Sequence, residues 1–225
     1  MRGHRHIAIW VLLLSGMALV AQPRLRTPEI YVGAQAGVLA SMVNFSPTVE
    51  GIDPLTAPFT PNGGLVFRYA GHKVCAIQVE LNYMQRGWHE GIAATDSTAG
   101  VDYHRQLHYV EVPLLMHLYF GKEHWRGFIN LGPQVGYCFL DRHSGTQSAT
   151  DTHQYDPIQQ RFDWGIAGGV GFYYRHERVG LFQLEARFNY SMGGVFNTHL
   201  GDYFSSANPM DLSLNFAYMW QVKVK

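Results

Sequence analysis

Charge is what this 225-residue chain has least of: Asp, Glu, Lys and Arg make up 15% of it, against about 25% in an average soluble domain. Seventeen basic residues balance seventeen acidic ones, so no net field draws it toward nucleic acid. Beyond the first two dozen residues there is no apolar run near the about 20 residues that a membrane helix needs. What the chain has instead is aromatic residues and glycine, with 13 Phe, 13 Tyr, 5 Trp and 24 Gly. This composition argues against disorder and coiled coil. It calls for a large apolar surface that helices do not bury.

The N-terminus reads as an address. Arg2 and Arg5 precede the apolar stretch Ile7 to Val20, with small residues at Ala18 and Ala21, the zones of a secretory signal. Residues 1–21 are therefore assigned to a signal peptide, 22–29 to a short periplasmic segment and 30–225 to one folded domain.

That domain alternates with period two, the mark of strands. From Cys75 to Arg86, Ile77, Val79, Leu81 and Tyr83 oppose Gln78, Glu80, Asn82 and Arg86. The same split runs through 129–139, 182–191 and 212–222, and less tidily through 30–40, 63–70, 106–120 and 162–174. Connections alternate long and short. The long ones are Ser41 to Asn62, Gly87 to Arg105, Leu140 to Arg161 and Met192 to Met210; the first carries Pro47, Pro54, Pro58 and Pro61 and is not expected to form strand. An eight-stranded antiparallel up-and-down barrel fits this rhythm and leaves no open sheet edge.

Which face is apolar decides between a soluble and a transmembrane barrel. The apolar sets are long and aromatic, while the opposite faces hold Gln, Asn, Glu and Arg among glycines and alanines. Burying the polar set inside a soluble cup would leave charges short of partners and the aromatic face in water. With the apolar face toward lipid, both problems vanish. Two aromatic girdles are expected: Tyr83, Trp88, Tyr137, Phe139, Trp164 and Tyr190 toward the long loops, and Phe67, Tyr69, Tyr119, Trp125, Phe128, Tyr174, Phe182 and Trp220 toward the short turns.

The runs Val79-Glu80-Leu81-Asn82-Tyr83-Met84-Gln85-Arg86-Gly87, Tyr109-Val110-Glu111-Val112-Pro113-Leu114-Leu115, Asn130-Leu131-Gly132-Pro133-Gln134-Val135-Gly136-Tyr137, Asp163-Trp164-Gly165-Ile166-Ala167-Gly168-Gly169-Val170-Gly171 and Glu185-Ala186-Arg187-Phe188-Asn189-Tyr190 resemble, in this order, the PorT-type outer-membrane β-barrel family. The resemblance covers about Tyr31 to the C-terminus. It implies a small eight-stranded outer-membrane barrel of the Bacteroidetes type; PorT itself is associated with type IX protein secretion. The end of the chain departs from the pattern, because Val224-Lys225 follows Trp220 where such barrels often end on an aromatic.

Arg68, Glu80, Arg86, Glu111, Glu185 and Arg187 all fall on the lumen face. They are expected to form a charge network that plugs a barrel only wide enough to be filled by side chains, with Gly132, Gly136, Gly165, Ala167, Gly169 and Gly171 leaving room. No catalytic residue, cofactor or metal is assigned. His89, Asp96, Asp102 and His104, and likewise His143, Asp151, His153 and Asp156, lack compact metal-ligand spacing and read as solvated loop side chains. His143 with Ser144, or His199 with Asp202 and Ser205, carry the residue types of a lipid acyl hydrolase or transferase, the catalytic alternative; a small pore is the other. Gly169 and Gly171 fail as a nucleotide loop because Tyr174 takes the third glycine's place. Cys75 near a short turn and Cys138 near a long loop lie too far apart to pair. The leading expectation is a non-enzymatic barrel whose partners are outer-membrane lipid and, through the four long loops, other envelope or secretion proteins, with no nucleic acid.

Overall fold

The structure is a computed structural model that describes residues 28–46, 59–92, 101–122, 124–146, 158, 160–176, 178–193 and 206–222; the signal peptide and most of the 22–29 segment lie outside them. Eight strands follow one another: β1 (Glu29–Ser46), β2 (Phe59–Ala70), β3 (Cys75–Ile92), β4 (Val101–Lys122), β5 (Trp125–Thr146), β6 (Phe162–His176), β7 (Gly180–Ser191) and β8 (Ser206–Val222). Each pairs antiparallel with the next, and β1 closes on β8 from Ile30↔Val222 to Ser46↔Ser206. No helix forms among the described residues.

The apolar face is outside. Leu65, Leu81, Leu114, Leu131, Val170, Leu212 and Phe216 are exposed, whereas Gln78, Glu80, Asn130, Gln134, Glu185 and Asn215 are buried in the lumen. This inversion of a soluble core is what a lipid-facing wall requires. Among the described side chains the girdles form with two corrections, and the side chain of Trp88 lies outside the described residues. Tyr119 and Phe128 face inward and are buried, at 7% and 1% exposure. There they pack with Tyr31 and Tyr173 into an apolar layer at the short-turn end. Both lie on the lumen parity of their strands, so their position along the strand, taken alone, points to the wrong face.

The strands run further than the alternation reaches. Ser41–Ser46, Phe59–Asn62, Gly87–Ile92, Val101–Arg105, Leu140–Thr146 and Ser206–Met210, all assigned to loops on sequence, are paired in ladders. About 9–11 tilted residues cross a bilayer, and beyond them the outer face meets water while inner side chains such as Tyr103 and Arg105 stay buried. The backbone ladder continues there while the apolar-polar contrast disappears. Pro61 lies inside β2 opposite Val38 of β1, but β2 and β3 pair only from Gly63↔Tyr83 downward. Pro47, Pro54 and Pro58 lie outside the described residues.

Cys75 and Cys138 are both buried and free. The folded protein is expected to resist maleimide labelling and to expose two thiols per chain in denaturant, read by mass shift; equal labelling before and after unfolding would contradict their burial.

Candidate functional site: the lumen and the upper wall

The lumen is packed in layers. Nearest the short turns, His117 Nδ1 donates to Asn130 Oδ1 at 2.6 Å, and the ring lies against Phe128, with centroids 4.7 Å apart. Above it, Arg187 from β7 reaches across to β3. Its Nη1 donates to Glu80 Oε2 at 2.5 Å and its Nη2 to Glu80 Oε1 at 2.7 Å, while Nη2 also bonds Glu185 Oε2 at 2.8 Å. Asn130 of β5 donates to Glu185 at 2.9 Å, and Gln35 of β1 to Glu80 at 2.8 Å. These bonds tie strands that share no ladder.

Arg68 joins this layer without touching a carboxylate directly. Its guanidinium donates to the amide oxygens of Gln78 and Gln183. Gln78 in turn donates to Glu80, and Gln183 to Glu185 at 3.1 Å. Each glutamine accepts on oxygen and gives on nitrogen, which is the role an amide can fill and a carboxylate cannot.

A second layer surrounds Arg86. Its Nε donates to Asp211 Oδ2 at 2.6 Å and its Nη1 to Asp163 Oδ2 at 3.0 Å. Its Nη2 lies 2.6 Å from Glu111 Oε1 and 2.5 Å from Asp211 Oδ2, and its guanidinium carbon sits 4.8 Å from the Tyr109 ring centre. One cation thus gathers three buried carboxylates from β4, β6 and β8. Higher still, Arg105 pairs with Asp141 at 2.6 Å. A cavity of about 260 Å³ opens beside this layer, lined in part by Ser41, Thr60, Gln85, Arg86 and Arg105.

Glycines make the layers possible. A Cβ at Gly136 would come 3.1 Å from Glu111 Cγ, and one at Gly169 would strike Glu185 Oε1. The structure places Arg68, Glu80, Arg86, Glu111, Glu185 and Arg187 in these layers together with Asp163, Asp211, Arg105 and Asp141. Asp163 shares the parity of Gly165 and Ala167, and Asp211 that of Ser213 and Asn215, so both were within reach of the alternation. Asp141 was not. The register of β4 with β5 shifts between His108 and Tyr109, inserting one residue at Phe139, and such a bulge flips the facing of everything beyond it.

On the outer side of the upper wall, the register sets His89 opposite His104 and Gly91 opposite Asp102. The two imidazoles stack with centroids 4.1 Å apart and planes within 7°. Asp102 Oδ1 lies 2.9 Å from His89 Nε2 and 3.3 Å from His104 Nε2. The hydrogen bond from His89 holds the Asp102 carboxyl below its ordinary range. Sequence spacing hid this cluster because the two histidines, far apart along the chain, are cross-strand neighbours. Asp96, Asp151, His153, Asp156, His199, Asp202 and Ser205 lie outside the described residues. His143 and Ser144 are consecutive in β5 and so project to opposite sides of the wall.

A closed barrel with a lipid-compatible exterior and a polar, filled lumen narrows the family sharply. The model of the outer membrane protein beta-barrel domain matches residues 20–197. The chain belongs to that family. It is accordingly an integral outer-membrane protein. Similar solved structures include Ail, the attachment invasion locus protein of Yersinia pestis, at 16% identity over 85% of this chain and 99% of that one, with a TM-score of 0.42. OprG from Pseudomonas aeruginosa is 13% identical over 86% of this chain and 95% of its own, with a TM-score of 0.45. The outer membrane protein W of E. coli is 16% identical over 88% and 100%, with a TM-score of 0.45. No curated protein matches the sequence.

Proposed function

We propose that this outer-membrane barrel is a sealed, non-enzymatic scaffold that contacts other envelope proteins through the rim formed by its long connections. In line with its resemblance to PorT, its setting is type IX protein secretion or a surface-protein complex. The observation that carries this reading is the lumen: cross-barrel bonds around Arg187 and Arg86, over an aromatic base, fill it below the cavity of about 260 Å³ beside Arg105. A barrel of eight strands offers no aqueous channel by default. With the usual topology the short turns face the periplasm and the extended upper strands face outside, which presents the rim to partners. The opposite facing of His143 and Ser144 supports the scaffold reading over the catalytic alternative.

Two measurements test the proposal. Reconstituted in planar bilayers, the purified barrel is expected to show no steady single-channel current; large, stable openings would sink the sealed-lumen reading. Affinity capture of the tagged protein from crosslinked native membranes is expected to recover defined envelope partners, with a secretion defect on deletion. Capture of nothing specific, together with intact growth and secretion, would remove the scaffold role.

A further inference from the structure

We propose that His89, Asp102 and His104 form a binding site for a divalent transition-metal ion of the imidazole-preferring class, such as Zn²⁺, on the outer flank of the upper wall. The three donor atoms all lie within 4.8 Å of one another. A tetrahedral ion holding nitrogen and oxygen ligands at about 2.0–2.1 Å separates neighbouring donors by about 3.3 Å. The two separations from Asp102 Oδ1, 2.9 and 3.3 Å, match that spacing, and the stacked imidazoles have to turn about their side-chain bonds so that both Nε2 lone pairs aim at one ion.

The frame under these side chains is rigid in the way a site needs. His89 and His104 stand on paired strands within a continuous ladder that runs on to Ile92↔Val101. Asp102 is two residues before His104, hence on the same face. Gly91 opposite it presents no side chain, so the carboxylate is free to turn toward the imidazoles. Both imidazoles offer Nε2 to one carboxylate oxygen, an arrangement in which a cation replaces the proton that each contact otherwise requires. The ligand set of two imidazoles and one carboxylate suits zinc-class ions rather than Mg²⁺ or Ca²⁺, which take oxygen ligands.

The location leaves the ion's remaining position open. His89 lies six residues beyond Tyr83 of the girdle, about 20 Å along the strand at about 3.3 Å per residue, well above the lipid band. Asp102 and His104 are exposed, with side chains 75% and 49% accessible. The fourth position faces water, where an exogenous ligand or a residue of another molecule completes the shell. Such a site would capture metal at the cell surface, or staple the rim to a partner that supplies the last ligand.

The test uses the full mature barrel refolded in detergent, titrated with ZnCl₂ by calorimetry and with CoCl₂ by absorption. Expected are one Zn²⁺ per barrel and visible Co²⁺ bands of a four-coordinate nitrogen and oxygen site. Both should be lost in His89→Ala and in His104→Ala, with affinity falling by more than the about 10- to 100-fold that removal of an outer partner costs. Asp102→Asn should weaken binding, and His143→Ala should leave it unchanged. Heat-modified gel mobility checks that every variant is folded, and the Co²⁺ spectrum of Asp102→Asn reports a changed ligand set independently of the histidine variants. Absence of saturable binding in the wild type, binding that survives His104→Ala, or one Zn²⁺ shared by two barrels would overturn the site.

Discussion

Replacing Arg86 with Ala is expected to be the most damaging single substitution in the barrel. Three carboxylates, Glu111, Asp163 and Asp211, converge on this one guanidinium, and the side chains of the central cation and of Asp211 are fully shielded from solvent. Breaking a buried ion pair by deleting one partner costs about 3–5 kcal/mol, because the remaining charge is stranded. With three carboxylates stranded together, the loss should reach the top of that range or exceed it. Denaturant unfolding of the barrel in lipid vesicles reads it directly. The diagnostic feature is rescue: adding Glu111→Gln and Asp163→Asn to Arg86→Ala should recover much of the loss, since neutral amides carry no charge to strand. A loss below 1 kcal/mol, or one that the amides leave untouched, would mean that water or ions reach this layer freely.

The second large effect is at Arg187. Its two nitrogens clasp Glu80 across the barrel and its Nη2 holds Glu185 on its own strand. Arg187→Ala leaves two carboxylates facing each other, with Arg68 near only through Gln78 and Gln183. A loss of about 3–5 kcal/mol is expected, larger than for any substitution in the long connections. Arg187→Lys should not restore it, because an ammonium lacks the planar fork that engages Glu80 by two bonds at once. Full recovery by Lys would show that charge alone, without geometry, holds the layer. A double-mutant cycle with Glu80→Gln separates the cross-barrel bond from the cost of stranding.

These two residues show how much the sequence carries. Arg86 and Arg187 sit on faces whose neighbours are Asn, Gln and Gly, opposite faces of Leu, Val and Phe, and that contrast alone places both in the lumen. Strand order and closure follow from the alternating long and short connections, and the lipid-facing side from the same contrast, because a polar set of this size has no stable place against lipid. The partners are another matter. Arg68 looks like an ion-pair member but rests on two glutamine amides, and Asp141 reaches Arg105 because a bulge at Phe139 turns it inward. The strand extensions were illegible too, since above the lipid the outer face takes polar residues as readily as the inner one and no alternation marks them.

The sequence by itself settled that few charges and many aromatics belong to a barrel whose outside is apolar, because period-two patterning is a local property written residue by residue. Tertiary structure alone decided which charges meet and that His89, Asp102 and His104 come together. Register and bulges set distances between strands, and those are fixed by the closing of the whole sheet rather than by any one segment of it.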